Sequence, residues 1–177
     1  LIDETYAKTR HKVYAGDEEL DGADPGSFIL LEHGWAVDKE RFFVNGDRGE
    51  ERIEPGTFTV LSFAYAKDGD RGWYHTRRLP EADAKVFRLI PGSTAHATDD
   101  RRVYFMGLEI PGAQPENFRV FPDSFEHATD EQRIYYRNLA IPDADPATFQ
   151  PVGQEYAGDA KYFYKGAEKI PRLNEAD

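Results

Sequence analysis

At 177 residues, with 40% hydrophobic and 31% charged side chains, the chain has a folded, globular composition and asks for no more than one ordinary domain with a real core. A formal net charge of −11 repels phosphate backbones and sets nucleic acid aside as a partner, while basic proteins and cations are favoured. Zero cysteines exclude thiol catalysis, disulfides and cysteine-based zinc sites, and the longest apolar run, Phe58 to Ala66, is broken by Thr59 and Ser62 far short of the roughly eighteen residues a membrane helix needs.

The chain is a tandem repeat with a period of roughly thirty residues. An aromatic residue or His followed by Ala opens each copy, at Tyr6, Trp35, Tyr65, His96, His127 and Tyr156, giving copies near 6–28, 35–58, 65–87, 96–118, 127–149 and 156–171 of a single repeat domain over 1–177. In the first copy, Tyr6-Ala7 leads through a polar turn, Thr9 to Lys12, into a second short strand that stops at Gly16. Asp24-Pro25-Gly26-Ser27-Phe28 then closes it, with Asp before Pro as expected of a capped helical turn that delivers Phe28 inward. Ile29-Leu30-Leu31 reads as a strand that pairs with the next copy. The second copy is Gly34-Trp35-Ala36-Val37, a charged turn Asp38 to Arg41, and Phe42-Phe43-Val44 ending at Asn45-Gly46, a hairpin by its aromatic and β-branched content.

The later copies keep this order. Turns fall at Asp68 to Arg71, Asp99 to Arg102 and Asp130 to Arg133, strand stops at Gly107, Asn138 and Gly166, and closing residues at Phe58, Phe87, Phe118 and Phe149. Thr59-Val60-Leu61, Arg88-Leu89-Ile90 and Arg119-Val120-Phe121 follow as pairing strands. The sixth copy stops after Ile170-Pro171 with no closing Phe. One hairpin is marginal in water, so neighbouring copies must stack, and the fold class is all-β: six short hairpin or meander repeats, each closed by a Pro-initiated helical turn.

Tyr65-Ala66-Lys67-Asp68, Asp38-Lys39-Glu40-Arg41-Phe42-Phe43-Val44-Asn45-Gly46, Gly22-Ala23-Asp24-Pro25 and Asp145-Pro146-Ala147-Thr148-Phe149 carry a resemblance to the DKNYY family of bacterial repeat proteins, recurring in every copy. Departures stand at Thr9 in place of the turn Asp, at Gly72 in place of a strand Val, and at the two His in place of Tyr. The resemblance implies an exported protein, periplasmic or anchored to the outer membrane as a lipoprotein, and no established catalytic activity; its members' proximity to secreted toxins implies an immunity role. The chain begins at Leu1 and not Met, which reads as a processed or trimmed start, so that any signal peptide or lipid-anchor Cys would fall outside this sequence.

His96 and His127 begin identical His-Ala-Thr-Asp strings beside Asp99 and Asp130, a set that could hold a metal. The same slot holds Tyr or Trp in the other copies, which favours packing, and the expectation is no metal and no cofactor. Acidic strings such as Asp68-Gly69-Asp70 coincide with repeat turns and lack a calcium-loop pattern. No serine lies in a nucleophile elbow and no glycine cluster forms a phosphate loop, so no catalytic residue is named.

Positions where copies disagree are the better functional candidates. The third copy adds Trp73, Tyr74, His75, Arg77 and Arg78, residue types enriched at binding hot spots. The second inserts Asp47, Arg48, Glu50, Glu51 and Arg52 as a charged loop in place of a tight turn. The expectation is a non-enzymatic module that binds another protein, such as a basic toxin that it neutralises. The alternatives are an envelope glycan-binding or structural module using exposed Trp35 and Trp73, and an enzyme with a carboxylate-based site.

Overall fold

A computed structural model describes residues 5–170. Each copy forms one antiparallel sheet. The first holds Tyr6–Lys8, Val13–Ala15 and Glu18–Glu19. The second is a four-stranded meander, Ile29–Leu30, Trp35–Val37, Phe42–Val44 and Asp47–Arg48, and the third repeats it as Thr59–Val60, Tyr65–Asp68, Arg71–Tyr74 and Arg77–Leu79. The fourth, fifth and sixth have the same order, opening at Arg88–Leu89, Arg119–Val120 and Gln150–Pro151. The piece after each closing Phe therefore joins the next copy's hairpin, with Ile29 opposite Val37 and Arg119 opposite Thr129. The chain separates into two compact units, Leu1–Phe87 and Arg88–Asp177, of three copies each. Among the described residues no helix is long and apolar enough to cross a membrane. Pro171, which ends the sixth copy, lies outside the described residues.

The two-residue turn after each outgoing strand requires a left-handed residue at its first position. Gly16, Asn45, His75, Met106, Arg137 and Gly166 all have φ between 46° and 60°. Each donates its backbone N–H to the carbonyl of the residue before the opening aromatic or His, as Asn45 does to Gly34 at 2.9 Å. The strand stop expected at Asn138 is thus Arg137, one residue earlier, because this hydrogen bond fixes which residue must turn; in the fourth copy Met106 and Gly107 are both left-handed.

In the second, third, fifth and sixth copies the turn Asp ties its copy to the one before it. In the fifth copy Asp130 Oδ1 accepts the backbone N–H of Gln132 (3.1 Å) and Arg133 (2.8 Å), closing its own turn. Its Oδ2 accepts the Tyr135 hydroxyl at 2.7 Å and the N–H of Gln114, in the preceding copy's closing segment, at 3.1 Å. Asp38, Asp68 and Asp159 hold the N–H of Asp24, Glu54 and Asp145 in the same way. Burial works to raise the Asp130 and Asp159 carboxyls, but the Tyr135 and Tyr164 hydroxyls and the converging backbone N–H groups hold both below the usual range. The closing segments are single turns, 3₁₀ at Pro55–Thr57 and Pro115–Asn117, where Glu54 and Gln114 supply no side-chain cap. Asp145 does cap its turn, through Oδ1 to the N–H of Ala147 at 3.0 Å.

Phe28, Phe118 and Phe149 each lie between their own copy's opening ring and the next copy's outgoing strand. Phe28 stands 5.4 Å from both Tyr6 and Phe43, and Phe149 stands 5.6 Å from His127 and 5.8 Å from Tyr164. Such ring pairs contribute roughly 0.5–1.5 kcal/mol each beyond burial of their area.

Candidate functional site

The charged stretch of the second copy is only partly a loop. Asp47 and Arg48 form the last strand of their sheet after the same Asn45-Gly46 turn that other copies have, and the extra residue falls in the segment 49–52. The physical cause is Phe42. A β-carbon on Gly49 would stand 2.3 Å from the Phe42 ring, so the glycine opens space that the large ring fills, and the chain needs a longer path before Ile53 turns inward. This path pushes Glu50 and Glu51 outward.

In the third copy Trp73 is fully buried, its indole N–H donating to Asp68 Oδ1 at 2.7 Å, with Phe42 at 4.9 Å. Its expected role as an exposed binding ring is corrected: it packs in the core because its strand position is the one that Phe43 and Tyr135 fill elsewhere. Trp35 is equally buried and donates to the Ser62 carbonyl at 2.9 Å, so neither tryptophan offers a surface for a sugar ring.

The two departing stretches meet. Glu50, Glu51, Trp73, Thr76, Arg77 and Arg78 line one pocket of about 390 Å³ within the first unit. Glu51 bridges two cations, with Arg71 at 3.7 Å and Arg78 at 3.6 Å. Arg71 also pairs with Asp68 at 2.5 Å, donates to the Arg52 carbonyl at 2.7 Å, and places its guanidinium 5.5 Å from the Trp73 ring centre. Buried Asp68 thereby fixes Arg71, and Arg71 fixes the loop that carries Glu51. Glu50, Arg77 and Arg78 are exposed at the rim. Burial raises the Tyr74 phenol above its ordinary range, with Arg77 opposing.

The remaining expected residues lie outside this pocket. Asp47 and Arg48 border a separate depression of about 350 Å³ shared with Glu18 and Glu19, and Arg48 donates to the Asp21 carbonyl at 3.0 Å. Arg52 pairs with Glu40 at 3.4 Å. Tyr74 packs its ring 5.2 Å from Tyr65, and His75 is the left-handed turn residue of its copy. Sequence reasoning missed Arg71 and Thr76; Arg71 ends a turn that recurs in other copies and so did not stand out, and only its partner Asp68, fully buried, reveals its task.

The DKNYY family model matches residues 6–139. The chain belongs to the DKNYY family. No curated protein and no solved structure matches it. The match runs from the first opening aromatic into the last strand of the fifth sheet and includes the whole pocket.

In this DKNYY chain the two histidines fill the aromatic slot and are fully buried. His96 packs 4.9 Å from Phe105 and 5.8 Å from Phe118, and His127 lies 5.2 Å from Tyr136. Their Nδ1 atoms face Ser93 Oγ (2.9 Å) and Ser124 Oγ (2.7 Å), hydroxyls that also accept backbone N–H groups of their own loops. Burial depresses His96 to about 4; it lowers His127 too, against the opposing charge of Glu126. The Asp99 and Asp130 carboxylates turn to backbone and tyrosine donors. No group of three or more His, Asp or Glu among the described residues is placed to hold a metal ion.

Proposed function

We propose that this chain is a non-enzymatic protein-binding module of the bacterial cell envelope, and that the pocket of Glu50, Glu51, Trp73, Thr76, Arg77 and Arg78 is where it grips its partner. One observation carries the reading: two stretches that break the repeat, in different copies, converge on a single pocket with an aromatic floor and charges of both signs at its rim. Residues that obey the repeat are occupied by packing, whereas Glu50, Arg77 and Arg78 reach solvent. The net charge of −11 steers a basic partner toward the surface, and such steering weakens as salt rises. The finer reading is an exported protein that neutralises a secreted antibacterial toxin, supported by the family resemblance.

The test is capture of partners at low salt by the wild-type chain and by the double variant R77E/R78E, followed by co-expression of the captured protein to see whether its toxicity is relieved. A protein held by the wild type and lost by the variant supports the pocket. Equal capture by both sinks the pocket, and no capture at low salt sinks the binding role. A captured protein that is harmless on its own removes the toxin reading alone.

A further inference from the structure

The first copy shows what the opening residue can do for the joint to the next copy. The Tyr6 hydroxyl accepts the Gly46 N–H at 3.0 Å and donates to the Gly34 carbonyl at 3.1 Å. Gly34 precedes the next opening residue, and Gly46 follows the left-handed Asn45, whose own N–H donates to Gly34. The same backbone hydrogen bond runs from Arg137 to Glu126 and from Gly166 to Glu155. Glu126 and Asn138 are therefore to His96, and Glu155 and Ala167 to His127, what Gly34 and Gly46 are to Tyr6. All of these residues belong to the second unit.

Both imidazoles are wholly buried, and neither Nε2 meets a hydrogen-bonding atom of the chain. Where the ring proton sits follows from the serines. Ser93 Oγ accepts the N–H of Ala95 and of His96, both at 3.1 Å, and Ser124 Oγ accepts those of Glu126 at 3.4 Å and His127 at 3.2 Å. With both lone pairs of each hydroxyl taken, its hydrogen is left to donate to Nδ1. A neutral imidazole that accepts at Nδ1 carries its proton on Nε2, and burial favours the neutral ring in both. Each Nε2–H is thus a buried donor with no acceptor in the chain, and leaving such a donor unpaired is costly.

We propose that His96 and His127 each donate from Nε2 to one buried water, which takes the place that the Tyr6 hydroxyl fills and bridges to the next copy. An imidazole stops short of a phenol oxygen by less than one hydrogen-bond length of roughly 2.9 Å, so a water bonded to Nε2 falls close to the hydroxyl's place. At His96 the water accepts the Nε2–H and the Asn138 N–H and donates to the Glu126 carbonyl; at His127 its partners are Ala167 and Glu155. Three partners are what a buried water commonly has. The Arg137 N–H uses one lone pair of the Glu126 carbonyl and leaves the other, just as Asn45 and Tyr6 share Gly34. The site asks for a ligand that accepts two hydrogen bonds and donates one. A metal cation would face two N–H donors and an anion would face a carbonyl, so neutral water fits where ions do not. Water thereby restores across two joints, indirectly, the link that tyrosine makes with its own oxygen.

Magnetic relaxation dispersion of the water oxygen counts long-lived waters and tests this. The wild type should hold one more than H96Y or H127Y, whose added hydroxyls fill the site, and two more than H96Y/H127Y. Amide spectra matching the wild type verify that the variants fold. A second measurement needs no variant. In wild-type ring spectra the carbon-bound proton beside each Nε2, which does not exchange with solvent, should show a nuclear Overhauser contact to water, and the ring nitrogen shifts should place the proton on Nε2. Equal water counts in folded variants, no water contact at either ring, or a proton found on Nδ1 overturns the proposal.

Discussion

The joint between successive copies is built differently in the two units. In the first, the opening side chain reaches the next copy with its polar end: Tyr6 bridges to Gly34 and Gly46, and Trp35 to Ser62. In the second, His96 and His127 turn Nδ1 back to a serine of their own loop, and both Nε2 atoms are buried with no hydrogen-bond partner. The same slot thus keeps its packing role while losing its polar link, because an imidazole is shorter than a phenol or an indole. What both units share is the buried turn Asp, which does not depend on the slot. The lesson is that the carboxylate is the general fastener of the repeat and the opening ring an adjustable one.

The largest expected effect tests the shared fastener. Asp130→Ala strands the N–H groups of Gln132, Arg133 and Gln114 together with the Tyr135 hydroxyl, and should destabilise the chain by about 3–5 kcal/mol in urea unfolding. A loss under about 1 kcal/mol would mean that the carboxylate is not the fastener.

Acidification should separate the units. His96 ionises near 4 when folded and near 6.5 when unfolded, so the unfolded state binds more protons between those values. The stability that neutral His96 contributes is complete above about 6.5 and is lost as pH falls toward 4, on the order of 3 kcal/mol in all, with His127 adding the same sign. Thermal melts of H96Y and wild type across this window should diverge as pH falls; parallel curves would refute the assignment to His96.

Next in size, Tyr6→Phe removes the hydroxyl that joins two backbone groups, and should cost about 1–2 kcal/mol while leaving the slot packed. His127→Tyr runs the comparison backward, and should gain about 1 kcal/mol if the added hydroxyl restores the link seen at Tyr6; a loss would show that the slot in the fifth copy is shaped for the smaller ring. The smallest effect is expected of R77E/R78E, whose side chains are exposed at the pocket rim: stability should change by about 0.5 kcal/mol or less, so that any lost binding is read as lost contact.

Much of the fold was legible because its signals are local. The six openings, the closing Phe residues and the strands after them all follow from residue type and spacing, and each forms as expected. The left-handed residue was misplaced by one position in the fifth copy because glycine and asparagine preference pointed to Asn138, whereas the hydrogen bond to the Glu126 carbonyl selects Arg137. For the candidate site, Glu50, Glu51, Arg77 and Arg78 were found by their departure from the repeat. Trp73 was found for the same reason but mistaken for a surface ring, since nothing in its neighbours' identities states that Asp68 waits in the core to accept its N–H.

By itself the sequence determined the period, the all-β class, the hairpin in each copy and the family, because strand alternation, turn chemistry and apolar spacing act over a few residues at a time. Tertiary structure alone decided that the turn Asp fastens neighbouring copies, that Phe42 and Gly49 trade volume and so displace Glu51, and that the charged segments of two copies share one pocket. Those outcomes depend on side chains roughly a repeat apart meeting in a close-packed interior, where the size of one ring sets the path of another copy's backbone.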